Sequence, residues 1–247
     1  MNRRALALFL SSLLMASPQG AAGAGARRML GGGLMPVAFE VTPLFDVPAP
    51  TGWANVRLLN DAAGYEQAAG DRPPNESNSA TAGRLERATF EPAGAGPAGA
   101  GPPAPVLLFG LRNNGALQPM DVGSPLVGVT LKLRPLGVNG LESAPDSEPF
   151  DVSFRVMWTA GGGAPPNKAG LFSLVHPLPS VEFKAYGAPH KFELTGLRVG
   201  GGAGGAQPRK AWWNKEADDP AAGVAAALVP EDGRAHEVEL LARVTLL

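Results

Sequence analysis

The chain has 247 residues, 45% of them hydrophobic and 17% charged, with a formal net charge of −1. That balance, with basic residues scattered rather than interleaved with aromatics, argues against nucleic acid as a partner, and the absence of cysteine excludes disulfides, thiolate nucleophiles and Cys-ligated metal centres. The 33 Gly and 25 Pro disfavour helices, where each Gly costs about 1 kcal/mol and each Pro about 3.

Met1-Asn2-Arg3-Arg4 is a short positive start, residues 5–16 form an apolar stretch, and Ala22-Gly23-Ala24 or Ala24-Gly25-Ala26 supplies small residues for cleavage. Residues 1–26 therefore read as a signal peptide for the general secretory route. Ser17-Pro18-Gln19 interrupts the apolar stretch well short of the roughly 20 residues needed to span a bilayer. No later stretch reaches that length, so no membrane span is expected after leader removal. Residues 27–247 are expected to form a single β-sandwich domain.

Strand candidates then follow in order. Residues 37–45, 56–59, 85–90 and 106–111 are short ones. Residues 127–133 place Val127, Val129, Leu131 and Leu133 on one face. Residues 150–158 alternate most regularly, with Phe150, Val152, Phe154, Val156 and Trp158 on one side. Residues 171–175, 181–186 and 191–199 are further candidates. Residues 236–246 align Val238, Leu240, Ala242, Val244 and Leu246, so the chain is expected to end on a core strand without a sorting tail or anchor of its own. Between the strands, residues 93–105, 161–166 and 200–206 lack side chains large enough to offset their ordering entropy and are expected to be mobile loops. Residues 60–84 are similarly polar and include a formal glycosylation sequon, Asn75-Glu76-Ser77. One short helix is expected around residues 221–228, where Ala dominates. About ten strands at this spacing predict an all-β fold, an antiparallel β-sandwich of jelly-roll-like type with long Gly/Pro-rich loops.

The chemistry-bearing residues are few. His176, His190 and His236 are the only histidines and form no H-x-H or H-E-x-x-H pair, so neither a metal nor a cofactor is expected. His176 precedes Pro177 and His190 follows Pro189, which reads as turn chemistry. No G-x-S-x-G elbow occurs. The carboxylates Asp218-Asp219, Glu231-Asp232 and Asp146 with Glu148 have the residue type a glycosidase needs, but they sit beside Pro or Gly, where solvated turns account for them. Trp212-Trp213-Asn214 follows a glycine-rich tract. On a strand one Trp would face out, and an exposed indole stacks on a sugar ring or anchors a partner; burial of both is the competing reading. Asn113-Asn114-Gly115 is polar enough to serve a ligand and is first a tight-turn signal. Trp212, Trp213, Asn214, Asn113 and Asn114 are thus the candidate ligand-binding residues.

A family resemblance covers residues 85–247. Phe109-Gly110-Leu111-Arg112-Asn113-Asn114, then the strand at 127–133, then 150–159 with Pro166-Asn167, and finally Phe192-Glu193-Leu194-Thr195-Gly196-Leu197 resemble, in this order, the choice-of-anchor K domain. This is the T-H-x-N family of exported proteins that often carry a PEP-CTERM tail. The tetrapeptide has Leu111 for Thr and Arg112 for His and keeps Asn114. The resemblance implies an exported protein and brings no catalytic activity. The expected function is a secreted or cell-envelope, non-enzymatic surface, matrix or adhesion module whose partner is a polysaccharide or another extracellular protein. The alternatives are a carbohydrate-binding module using Trp212 and Trp213, and a secreted glycoside-active enzyme.

Overall fold

The computed structural model describes residues 35–47, 54–59, 63–69, 77–83, 85, 87–91, 101–115, 125–137, 140, 142–162, 169–200, 206–209 and 224–247. Fourteen strands are found among them: β1 (Val37–Asp46), β2 (Ala54–Leu59), β3 (Gly64–Ala69), β4 (Asn78–Gly83), β5 (Ala88–Phe90), β6 (Ala104–Arg112) and β7 (Leu126–Leu136) in the first half. β8 (Phe150–Gly162), β9 (Ala169–Val175), β10 (Ser180–Ala185), β11 (Ala188–Val199), β12 (Gln207–Arg209), β13 (Ala226–Pro230) and β14 (Ala235–Leu246) complete it. They form two seven-stranded sheets, ordered β12-β13-β9-β8-β7-β1-β5 and β10-β11-β14-β6-β4-β3-β2. Every pairing is antiparallel. The fold is an all-β antiparallel sandwich.

The alternating sequences dictate which face is covered. On β8, Val152, Phe154, Val156 and Trp158 are buried while Asp151, Ser153 and Arg155 are exposed. Because side chains alternate across a strand, this pattern commits one face of each sheet to the space between them. One main core results, with a small separate cluster of Leu171, Ala225 and Ala226, and the main core's aromatic rings form two groups. Phe39 of β1 meets Phe90 and Phe150 from its own sheet and Phe183 and Phe192 from the other, at centroid distances of 5.4–5.9 Å. Nearer the other end, Phe45 touches Tyr65 and Phe109, Phe109 meets Phe172 at 5.1 Å, and Phe172 meets Trp158 at 5.7 Å. Most of these contacts are edge-to-face, the arrangement the ring quadrupole favours.

The outer faces carry directly opposed ion pairs. Arg57 faces Glu66, Arg134 faces Glu40 and Arg198 faces Glu239 across neighbouring strands. Each is exposed and contributes at most about 1 kcal/mol.

Four expectations from the sequence are corrected. Residues 60–84 are not all loop, since they supply β3 and β4. Their inward positions are Tyr65 and Gln67 on one strand and Asn78 and Ala80 on the other, so polar and small residues hide the apolar period. The Ala-rich helix expected around 221–228 is not formed by the described residues 224–228; Val224 forms a bridge with Leu197 and β13 begins at Ala226. Ala226 and Ala227 are both fully buried, and the open edge of β9 offers a ladder of backbone partners that outweighs alanine's helix propensity. His190 is a buried strand residue on β11, not a turn residue. The strand expected over 85–90 is shorter, beginning at Ala88.

Candidate functional site

Strand register gathers a set of chain segments at one end of the sandwich. Asp46 lies opposite Gly128 near the start of β7, Gly162 opposite Ala169, Ala169 opposite Pro230, and Arg112 opposite both Ala235 and Ser79. The strand ends joined by residues 48–53, 70–76, 116–124, 163–168 and 201–205 therefore share this end with the tight β13–β14 turn. The strand ends flanking five connections longer than a hairpin turn thus lie at one rim of the sandwich.

Beneath them, the end of β6 ties the two sheets together. Asn113 is buried; its Nδ2 donates to the Val229 carbonyl of the opposite sheet at 2.9 Å, and its Oδ1 accepts from the Gly115 amide at 3.0 Å. The Asn113 carbonyl accepts from Gly233 N. Asn114 reaches the other way, its amide donating to Asn78 Oδ1 and its Nδ2 to the Ser77 carbonyl, both at 2.6 Å. Gly115 has φ +82°, and the Glu231 side chain lies where a Cβ would stand. An Asx turn is thus formed at Asn-Asn-Gly, with Asn113 bonded to the opposite sheet and Asn114 to its own.

The facing turn is built around Asp232, whose Oδ1 accepts from the Arg234 amide at 2.9 Å and meets His236 Nε2 at 3.0 Å. Burial pushes this carboxyl up, but the hydrogen bonds from His236 and Arg234, with the charges beside them, outweigh it and hold Asp232 below its ordinary value.

Further in, polar groups line the core itself. Gln67 Nε2 lies 3.5 Å from the Trp158 carbonyl across the sheets. Among the described residues, Tyr65 Oη, Gln67 Oε1, Asn78 Nδ2 and Trp158 Nε1 have no hydrogen-bond partner, and all four side chains are at most 1% exposed. A bare polar atom so placed costs about 1–3 kcal/mol. Burial also drives the Tyr65 phenol far above its ordinary range, so it stays protonated.

Of the residues singled out from sequence, Asn113 and Asn114 belong to this end, where the hydrogen bonds described bind them into the frame. Trp212, Trp213 and Asn214 lie outside the described residues. The segment that carries them joins Arg209 of β12 to Val224. Gln67, Ser77 and Asn78 are residues of this end that the sequence conceals, because they fall in a polar stretch whose one local signal is the Asn75-Glu76-Ser77 sequon. The exposed carboxylates Asp146 and Glu148 sit at the opposite end, beside the β10–β11 hairpin, where Tyr186 N donates to the Pro145 carbonyl. The twelve residues of β14, roughly 40 Å at 3.4 Å each, separate them from Glu231 and Asp232, too far for the two pairs to act on one glycosidic bond. Among the described residues there is no group of three or more His, Asp or Glu able to hold a metal, and no helix long and apolar enough to cross a membrane. No family model matches the chain, and no curated protein matches it.

Proposed function

We propose that this protein is an exported, non-enzymatic binding module of the surface, matrix or adhesion kind, which meets its partner with the loop-bearing end of the sandwich. The observation that carries this reading is that the strand ends on either side of five long connections lie at one rim, where Asn113 bonds across to the opposite sheet and Asn114 bonds to the neighbouring strand end of its own sheet. A rigid sandwich with segments gathered at one end is the arrangement by which such folds present variable contacts on a fixed frame. The leader-like residues 1–26 and the resemblance to the choice-of-anchor K family support export. Polysaccharide is the first partner class to test, since Trp212-Trp213, in the separate segment between Arg209 and Val224, supplies indole rings of the kind that stack on sugars, and Trp212→Ala or Trp213→Ala is expected to weaken retention if that segment takes part.

Expression of the full chain in a secreting bacterial host is expected to give a processed form beginning near residue 27 outside the cytoplasm. That form is expected to be retained on a polysaccharide or an envelope protein, and substitutions within 116–124 or 163–168 to weaken retention while the circular dichroism spectrum is unchanged. Turnover of a substrate that is abolished by replacing one carboxylate overturns the reading.

A further inference from the structure

We propose that one buried water molecule bridges Gln67 Oε1 and Asn78 Nδ2 between the two sheets. The two residues are directly opposed across β3 and β4, are both buried, and point into the core. Their amide orientations are set by neighbours: Gln67 turns its Nε2 toward the Trp158 carbonyl, and Asn78 turns its Oδ1 to the Asn114 amide. What remains is one acceptor on Gln67 and one donor on Asn78, each without a partner. Directly opposed side chains start only about 5 Å apart at Cβ, yet these amides do not bond to each other. A water satisfies both at once, accepting from Asn78 and donating to Gln67. Buried waters typically make about three hydrogen bonds, and the Tyr65 hydroxyl, on the residue two along the same face of β3, and the indole of Trp158, whose carbonyl faces Gln67, are also without partners among the described residues. Phe45 packs on Tyr65 and Phe109, and Phe109 on Phe172, so apolar rings adjoin the Tyr65 side of this polar group. The bridge completes a polar path from Asn114 at the loop-bearing end, through Asn78, the water and Gln67, to the backbone of β8 in the opposite sheet.

A crystal structure at a resolution that shows ordered solvent tests this directly. The expected result is a density peak within about 2.7–3.2 Å of both Gln67 Oε1 and Asn78 Nδ2. Direct contact between the two amides, or an apolar side chain in that space, overturns the proposal. In a Gln67→Met variant the peak is expected to vanish while the Asn114–Asn78 bond persists, and a peak that stays unchanged shows that Gln67 does not hold it. Should that variant fail to fold, water-to-amide cross-relaxation in the unmodified protein decides: a long-lived signal at the Asn78 side-chain amide supports the bridge, and its absence refutes it.

Discussion

Asn113 shows how one side chain can hold two sheets. Its Nδ2 satisfies a carbonyl on β13 and its Oδ1 satisfies the amide of its own turn. Asn113→Ala strands both partners near the core, and is expected to lower the unfolding free energy by about 2–4 kcal/mol, taking 1–2 for each. Asn113→Asp sets a buried carboxylate against the Val229 carbonyl and is expected to be no more stable than Asn113→Ala. Urea titration of the three proteins checks this, and equal stability for Asn113→Ala and the parent refutes it. Gly115 is a second sensitive position, for two separable reasons. Its φ of +82° strains any L side chain, and a methyl group there meets Glu231. Gly115→Ala is therefore expected to cost about 1–3 kcal/mol, and Glu231→Ala in the same chain to relieve only the steric part. A double-mutant cycle with no coupling between the two sites would remove the steric argument. The turn itself is legible in Asn113-Asn114-Gly115. Its grip on Val229 is not, because that carbonyl lies 116 residues away in sequence and only the pairing of β14 with β6 brings it near.

At the scale of elements, legibility followed the contrast between the two faces of a strand. β7, β8 and β14 are readable because large apolar residues alternate with polar ones over eleven to thirteen residues. β3 and β4 are not, since Gln67 and Asn78 occupy inward positions, and β13 presents small residues whose local preference points to helix. The hairpin between β10 and β11 is closed by Tyr186 and Gly187, both at positive φ, the two-residue turn whose twist matches the strands; Tyr186 is held there by its hydroxyl on the Leu136 carbonyl at 2.8 Å. Just beyond, His190 of β11 stacks on Phe183 with centroids 5.3 Å apart. Its desolvation lowers the imidazole pKa, against a smaller opposing effect from its hydrogen bond with the Ala188 carbonyl. The folded state therefore resists protonating His190, whereas the unfolded chain takes up that proton near pH 6.5. The stability tied to neutral His190 is fully present above about pH 6.5 and is lost as pH falls toward the lowered folded value. Asp232, also lowered, contributes above its unfolded value near pH 3.9 and loses that contribution only in stronger acid. Between about pH 7 and 5 the melting temperature is thus expected to fall, and His190→Phe, which keeps the stack on Phe183, is expected to flatten that slope. An undiminished slope in the variant would assign it to another group.

The whole molecule has little means of coming apart in halves. The chain passes repeatedly from one sheet to the other, for example from β4 to β5, β5 to β6 and β6 to β7, so releasing either sheet breaks the connections of both. Among the described residues each inner face also covers the other's rings, and Phe39 by itself contacts two phenylalanines from each sheet. Exposing one such face puts these large apolar groups back in water at about 25 cal/mol per Å², with no compensating gain in the remaining sheet. Unfolding of the sandwich is therefore expected to be a single transition, with far-ultraviolet dichroism and near-ultraviolet aromatic signals coinciding. Phe39→Ala removes the ring shared by both sheets and is expected to cost about 3–5 kcal/mol. Because the loss falls on both faces at once, the transition is expected to move to lower denaturant while staying single. If the two signals separate in Phe39→Ala, one sheet is able to persist without the other, and the shared core is not what unites them.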